Sequence, residues 1–360
     1  MGKTGYRHEF RGIRGGVALA LTMAAALAGL AGCGAKSPAV TGALKVEPAH
    51  RLSHGERLWR AIFSPDSSLF ATSGVEKSVK LWRVTDGSLV RVFPHPAGTT
   101  SVGFSPDGQL LVTGSFDGQV RLWRVNDATL LRTLNAGDKT VWTVAFSPDG
   151  RQVASAGENK EVVVWNVADG SRARTFTGHT LNVWSVAFSP DGKWLASSSF
   201  DHTVRLYRLD TGELARILTK HSEAVVGIAF SADSQLLASV GDDAMVRVWR
   251  VGSGEMVWER SSAPRHSYAV AFSPDGKWLA TGSRDRSGFG EFVQQVDQKL
   301  GVSTGANQET ARIWQVSDGA LVQTLAGHAN DVYGVQFSPD GQWLATASED
   351  TTAVLWRIVR

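Results

Sequence analysis

The chain alternates between short apolar runs and turn residues over most of its length. Around residues 178–208, runs rich in β-branched, aromatic and small residues predict four short strands, at 183–188, 194–199, 203–209 and 213–218. Between the first two runs, Ser189-Pro190-Asp191-Gly192 is typical of a type I turn, because proline sets φ at the second position and glycine suits the last. This segment therefore predicts a four-stranded antiparallel unit.

The same unit recurs along the chain. The phenylalanine that ends its first strand appears in seven copies, spaced 41, 42, 42, 42, 42 and 65 residues apart: Phe63, Phe104, Phe146, Phe188, Phe230, Phe272 and Phe337. A second aromatic residue follows in every copy: Trp82, Trp123, Trp165, Tyr207, Trp249, Trp314 and Trp356. A fixed period of this length predicts a repeat fold, and four antiparallel strands per repeat make one propeller blade. Blades stack face to face, which explains apolar runs without clean alternation.

From residue 43 to residue 360 the repeats resemble the WD40 family. Gly178-His179 and Gly327-His328 match the Gly-His signature of that family, and three further histidines occupy the same place in their copies: His54, His95 and His221. The Trp-Asp dipeptide that names the family is absent, and arginine takes the Asp place in five copies. The resemblance implies an all-β, seven-bladed propeller with four antiparallel strands per blade.

The two ends of the repeat region are complementary. The last copy stops after its third strand, and residues 43–53 supply a strand that no other copy needs. We expect the N-terminal strand to complete the seventh blade, because ring closure removes the exposed edges of an open array.

The first 33 residues predict an export signal. Basic residues precede an uncharged run rich in alanine, leucine and glycine at 15–32. Leu30-Ala31-Gly32-Cys33 resembles the lipobox of bacterial lipoproteins, which implies cleavage before Cys33 and a lipid anchor (diacylglyceryl and palmitate-type chains) on that residue. We expect a signal peptide at 1–32, a lipidated cysteine and spacer at 33–42, and the propeller at 43–360. This interpretation predicts a bacterial cell envelope location, with the outer membrane favoured; an uncleaved membrane span is the alternative.

Charge and motifs argue against several functions. The chain has 37 basic and 34 acidic residues, and residues 1–32 contain four of the basic and one of the acidic residues. The rest of the chain therefore has 33 of each and no net charge. A neutral chain without a basic run gives no electrostatic footprint for nucleic acid. The single cysteine excludes an internal disulfide. No metal motif or phosphate-binding glycine loop appears, so we expect no cofactor, no metal and no enzyme activity.

Three copies contain groups that resemble hydrolase triads: His95, Ser115, Asp117 and Trp123; His179, Ser199, Asp201 and Tyr207; His328, Ser348, Asp350 and Trp356. An active site needs one nucleophile beside one oxyanion hole, and repetition in equivalent places argues against catalysis. The resemblance to WD40 repeats implies instead a structural network, running from the loop histidine through serine and aspartate to the indole nitrogen.

The candidate site lies at one end of the channel. Five residues after each histidine place, the resemblance implies a contact position on the top face: Trp59, Thr100, Trp142, Trp184, Val226, Tyr268 and Tyr333. The residues before the acid between the second and third strands add Val75, Phe116, Glu158, Phe200, Asp242, Arg284 and Glu349. Aromatic and arginine residues form interface hot spots. The partner-binding candidates are Trp59, Trp142, Trp184, Tyr268, Tyr333, Phe116, Phe200 and Arg284.

Two alternatives stay open at this site. The rings could simply plug the channel mouth or pack between blades, and the partner could be a glycan or small ligand rather than a protein or peptide. We favour a monomeric, non-catalytic protein-interaction scaffold. An insertion of about 23 residues within 286–309 is either a partner-binding lid or disordered.

Overall fold

The computed structural model describes residues 44–262, 266–284 and 309–359. These residues form 28 strands and no helix. In chain order, β2–β5 are Leu58–Phe63, Leu69–Gly74, Ser78–Arg83 and Leu89–Pro94; β6–β9 are Thr99–Phe104, Leu110–Ser115, Gln119–Arg124 and Leu130–Asn135; β10–β13 are Val141–Phe146, Gln152–Gly157, Val162–Asn166 and Arg172–Phe176. The next set, β14–β17, is Val183–Phe188, Trp194–Ser199, Val204–Arg208 and Leu214–Leu218.

The remaining strands complete three further sheets. β18–β21 are Val225–Phe230, Leu236–Gly241, Met245–Arg250 and Met256–Ser261; β22–β25 are His266–Phe272, Trp278–Arg284, Glu309–Gln315 and Leu321–Ala326; β26–β28 are Val332–Phe337, Trp343–Ser348 and Thr352–Val359, joined by β1, Lys45–Ser53. Each sheet contains four antiparallel strands. The inner strands of successive blades contact one another in sequence, and β26 returns to β2. The predicted seven-bladed propeller is confirmed.

The predicted closure of the ring is also confirmed. β1 pairs antiparallel with β28, from Lys45 opposite Val359 to Ser53 opposite Thr352, with one irregularity between Pro48 and His50. Two apolar side chains of β1 point inward: Val46 and Leu52 are 3% and 7% exposed. The N-terminal strand therefore fills the place of the fourth strand in the blade that the C-terminus leaves incomplete.

The core lies between blades rather than within them. One typical cluster joins Val112 and Val120 of the second blade to Val144 and Val153 of the third, and it includes Trp165. Such packing buries both faces of the inner strands, whereas the outermost strands expose most of their side chains, as in β9. The sequence therefore shows continuous apolar runs on the inner strands.

The hairpin between the first two strands is a Ser-Pro-Asp-Gly turn in five blades, and the first and fifth blades have Ser-Pro-Asp-Ser and Ser-Ala-Asp-Ser there. In the fourth blade the Gly192 amide donates to the Ser189 carbonyl at 2.9 Å, and the Ser189 hydroxyl donates to Asp191 at 2.6 Å. The same hydroxyl accepts the Trp194 amide at 2.9 Å. Gly192 has φ +70°, which favours glycine at this position. This confirms the turn that the sequence predicts.

Several predictions fall on residues outside the described ranges. These are the signal peptide at 1–32, Cys33 and its spacer at 33–42, and nearly all of the insertion at 286–309. They stay predictions. In the described ranges, no helix is long and apolar enough to cross a membrane.

Candidate functional site

A β-bulge in every blade positions the top-face residues. The pairing of each first strand with the second skips one residue, and the skipped residues are Trp59, Thr100, Trp142, Trp184, Val226, Tyr268 and Tyr333. A bulge re-aims the side chain of the extra residue. The seven sequence-predicted contact positions thus share one backbone irregularity.

The aromatic candidates form two groups on opposite sides of the ring. The tryptophan cluster consists of Phe116, Trp142, Trp184 and Phe200, with successive ring centroids 5.6, 4.6 and 5.3 Å apart. The tyrosine cluster consists of Trp59, Tyr333 and Tyr268, with successive centroids 4.9 and 5.4 Å apart. The first cluster belongs to blades two to four, and the second belongs to blades six, seven and one.

The other top-face positions contribute differently. Thr100 is 2% exposed and its hydroxyl donates to the Val141 carbonyl, and Val226 is 1% exposed. They therefore pack inside the ring rather than at its surface. Arg284 ends β23 opposite His266, but its side chain lies outside the described residues, so its role stays a prediction.

The rings converge on one cavity at the channel mouth. It is lined by Trp59, Arg60, Thr100, Trp142, Trp184, Tyr268 and Tyr333, and its volume is about 10 Å³. That is about the space one water needs. The rings therefore leave little room between them. Trp59, Trp142, Trp184 and Tyr333 are nevertheless only half-buried, so part of each ring is exposed to solvent.

Two indole nitrogens at the mouth have no partner. Nε1 of Trp59 and Nε1 of Trp142 are buried and form no hydrogen bond. A buried donor without an acceptor costs about 1–3 kcal/mol. Other buried side-chain atoms of the described residues also lack a partner, but these two lie on the face that the sequence analysis proposes for binding.

Sequence reasoning missed Arg60. It directly follows the bulge residue of the first blade, where the other six blades have small side chains: Ser101, Thr143, Ser185, Gly227, Ala269 and Gly334. In the described part of the chain its guanidinium forms no hydrogen bond or ion pair with another residue, and desolvation by burial lowers its pKa to about 10. An alignment of the seven copies would have revealed Arg60, because it is a charged residue at a position where the other six copies have small residues.

The structural network exists, but one member differs from the prediction. The hydroxyl that accepts the Trp123 indole is that of Thr113, at 3.1 Å, and His95 Nε2 lies 2.9 Å from the same oxygen. In the other two predicted copies the linking hydroxyls are Ser197 and Thr346. The serines predicted for this role, Ser115, Ser199 and Ser348, lie two residues further along the strand and donate to loop carbonyls instead.

The reason is geometric. Residues two apart on a strand share a face, so both hydroxyls point the same way. Trp123 pairs with Leu111, and its indole reaches two pairs along the sheet to Thr113, which leaves Ser115 beyond its reach. The predicted serines cap the loop, and none of them faces a histidine as a nucleophile would. This geometry offers no support for hydrolysis.

The histidine and aspartate pairing varies between copies. His179 Nδ1 donates to Asp201 at 2.7 Å, and His328 Nδ1 donates to Asp350 at 3.0 Å. In the second blade Asp117 instead pairs with Arg121 at 2.6 Å, while His95 Nδ1 donates to the Phe93 carbonyl at 2.9 Å. The predicted His95–Asp117 bond is therefore replaced by an arginine pair.

A further complete network, in the fifth blade, was missed. His221 Nε2 lies 2.8 Å from the Ser239 hydroxyl, which also accepts the Trp249 indole at 2.8 Å, and His221 Nδ1 lies 3.0 Å from Asp243. The spacing of 22 residues between histidine and acid is the same in His95/Asp117, His179/Asp201 and His328/Asp350, and would have revealed it.

Burial and hydrogen bonding set the ionisation of these groups. Burial opposes ionisation of Asp201 and Asp350, but hydrogen bonds from the paired histidine and threonine outweigh it and hold both pKa values far below the usual range. Desolvation lowers the pKa of His95 to about 4. The His95 ring is therefore neutral at pH 7. Among the described residues, no group of three or more histidine, cysteine or acidic side chains is placed to hold a metal ion.

His95 should make the propeller acid-sensitive. Its pKa is about 4 in the folded chain against 6.5 for the ordinary side chain, so between those values the unfolded chain binds a proton that the folded chain excludes. Stability is then full above pH 6.5 and falls as the pH drops toward 4, by on the order of 3 kcal/mol for this one group. His95→Gln should reduce that decline in urea unfolding series at pH 7 and pH 4.5.

His202→Asn is the matched control for this experiment. His202 is exposed and has φ 68°, a conformation that asparagine tolerates. The control should follow the wild-type pH dependence. Equal declines in all three proteins would contradict the assignment of the acid sensitivity to His95.

Comparison with protein families agrees with this geometry. The model described as WD domain, G-beta repeat matches residues 46–83, 87–124 and 319–357. The chain contains WD40 repeats. The model described as IFT122 first beta-propeller matches residues 140–287, which lie between the second and third WD40 matches. The predicted resemblance to WD40 repeats is confirmed; the lipoprotein signal stays a prediction.

Curated relatives match short segments of this WD40 propeller. Nuclear distribution protein nudF of Aspergillus niger is 40% identical over 55 residues, which is 15% of this chain and 12% of that protein. Nuclear distribution protein PAC1-1 of Uncinocarpus reesii is 42% identical over 55 residues, with the same shares. The WD repeat-containing protein WDS homolog of Arabidopsis thaliana is 53% identical over 38 residues, 11% of this chain and 7% of that protein. The chain thus covers a small part of these relatives.

These relatives correct the predicted location. Nuclear distribution proteins of fungi are eukaryotic and are not bacterial envelope lipoproteins. The prediction of a bacterial cell envelope location, with the outer membrane favoured, is wrong. The error arose because the location was inferred from the lipobox-like residues alone, which belong to a segment outside the WD40 repeats.

The family result bears on activity in general terms. WD40 propellers are generally non-catalytic scaffolds that bind protein partners, and the matching nuclear distribution proteins are not named as enzymes. This agrees with a channel mouth made of aromatic rings and with serines that bond to loop carbonyls.

Proposed function

We propose that this WD40 propeller is a non-catalytic scaffold that binds a protein or peptide partner across its channel mouth. The observation that supports this most is the tryptophan cluster, in which Trp142 and Trp184 stack at 4.6 Å while both remain half-buried. Rigid aromatic side chains with partly exposed edges lose little conformational entropy on binding, and tryptophan is enriched in interface hot spots.

The stacking favours a protein over a glycan. A sugar binds an open aromatic face, but Trp184 already stacks on two rings, at 21° to Trp142 and 15° to Phe200. Little of the Trp184 face is therefore left for a sugar, whereas its edges remain for a partner. Apolar side chains and backbone carbonyls of a peptide suit such edges, since a ring edge carries partial positive charge.

Replacing Trp142 and Trp184 with alanine should abolish partner binding. We expect a loss of at least 2 kcal/mol of binding free energy, the usual size of a hot-spot effect, with the fold retained. A photo-crosslinking amino acid at Phe200 would first identify the partner in a native extract. The affinity of the purified partner for wild-type and double-variant propellers would then be measured by calorimetry.

Two matched variants control this experiment. Leu130→Ala removes an apolar side chain that is 44% exposed on an outermost strand, and it should leave the affinity unchanged. Trp165→Ala removes a core tryptophan that is 3% exposed, and it should lower the melting temperature much more than the double variant does. Unchanged affinity in the double variant, or a stability loss equal to that of Trp165→Ala, would contradict the proposal.

A further inference from the structure

We propose that Arg60 receives an aspartate or glutamate side chain of the bound peptide at the channel mouth. This inference rests on the proposed function and adds the chemistry of the residue that the site selects. Arg60 lines the channel-mouth cavity together with members of the tryptophan and tyrosine clusters.

The site offers hydrogen-bond donors without a matching acid. Arg60 contributes a cation, and Nε1 of Trp59 and Nε1 of Trp142 contribute two buried donors that have no acceptor. The lining residues include no carboxylate. A carboxylate accepts hydrogen bonds and carries the opposite charge, so it suits the Arg60 guanidinium.

The environment of Arg60 supports the same conclusion. The residue is half-buried, desolvation lowers its pKa to about 10, and no neighbouring charge compensates that desolvation. A partly desolvated charge without a partner weakens the folded chain. Proteins retain such costs where a ligand relieves them. The equivalent small residues in the other blades, such as Ser101 and Gly334, show that the fold does not require arginine here.

The space suits a group that enters from solvent. The cavity itself is about 10 Å³, whereas the whole space between its lining residues, open solvent included, is about 290 Å³. A carboxylate at the end of a flexible side chain can therefore lie in the mouth without entering the channel. A deeply inserted ligand would require the rings to move.

The arrangement of the rings favours an internal acidic residue over a chain terminus. The tryptophan cluster lies on one side of the mouth and the tyrosine cluster lies on the other. A peptide that continues on both sides of the acidic residue can contact both clusters. A peptide that ends at its C-terminal carboxylate extends from the mouth in one direction and can contact only one cluster. A free phosphate would contact neither.

Selection from a synthetic peptide library tests this proposal. Random heptapeptides, acetylated and amidated so that only side chains carry carboxylates, would be selected on the purified propeller. We expect enrichment of aspartate or glutamate at one position, and an affinity loss of about tenfold or more when that residue becomes its amide, since the amide loses the charge-assisted hydrogen bond to Arg60. Arg60→Gln should remove the discrimination between acid and amide.

Arg57→Gln is the matched control. Arg57 lies three residues away, its side chain is 59% exposed, and it pairs with Glu349 at 2.9 Å. The Arg57→Gln substitution removes the same charge from the same face, but the variant should keep the preference for the acid. Stability gives a second measurement: Arg60→Gln should raise the melting temperature by about 2 °C, whereas a purely structural arginine would lower it.

The outcomes separate this inference from the proposed function. Selected peptides that depend on Trp142 and Trp184 but show no acidic preference would overturn the role of Arg60 and keep the scaffold. Binding of peptides only when they carry a free C-terminal carboxylate would overturn the internal acidic residue. If no peptide binds the wild-type propeller, both proposals fail.

Discussion

Replacing both Val46 and Leu52 with aspartate should unfold the propeller. Val46 packs in a cluster with Trp356, and Leu52 packs with Leu355, so each side chain seals one face of the closing blade. Each new carboxylate would be buried among apolar groups, at a cost of several kcal/mol. Two such costs approach the whole stability of a typical domain, about 5–15 kcal/mol. Near-ultraviolet circular dichroism and urea unfolding would show the loss.

Lys45→Asp combined with Ala49→Asp is the matched control. Both residues lie on β1 and are exposed, so the variant also introduces two carboxylates into the closing strand. It should unfold at nearly the wild-type urea concentration. If the Val46/Leu52 variant behaves like this control, the closure of the ring does not stabilise the propeller.

The fold was predictable because the repeat encodes it seven times. The apolar runs, the Ser189 to Gly192 turn and the unmatched strand at 43–53 each repeat or complete a pattern that one copy alone would leave ambiguous. Residues such as Val183 and Trp194 then fall in the strands that the pattern assigns them. Errors of a residue at strand ends had no effect on the architecture.

The candidate site was predictable only in part, and the reason is the bulge. Regular alternation directs consecutive residues to opposite faces of a strand. The irregularity at Trp59 instead brings both Trp59 and Arg60 to the channel cavity, and nothing in the local sequence announces it. In the same way, spacing alone cannot distinguish Thr113 from Ser115, because the two share a face and only the reach of the Trp123 indole decides between them.

Replacing Asp243 with alanine should cause the largest single-residue loss in the histidine networks. Its side chain is 2% exposed, and it lies 2.7 Å from Arg247 and 3.0 Å from His221. It also accepts the backbone amide of Met245 at 3.1 Å. Its absence would leave the 7%-exposed Arg247 with Glu259 as its remaining carboxylate partner, and that glutamate is 44% exposed. Breaking such a pair costs about 3–5 kcal/mol, which urea unfolding would measure.

A second substitution separates the charge from the packing. In the Asp243→Ala/Arg247→Met variant no cation is left buried, so a substantial part of the loss should be recovered although a second native side chain is missing. Asp117→Ala in the second blade is the comparison. It likewise removes the carboxylate of a buried arginine, since Arg121 lies 2.6 Å away and is 8% exposed, but it breaks no histidine bond. It should therefore cost less than Asp243→Ala by roughly the 1.5–3 kcal/mol of a charge-assisted hydrogen bond. If the double variant is no more stable than Asp243→Ala, the aspartate acts through its backbone hydrogen bonds and not by compensating Arg247.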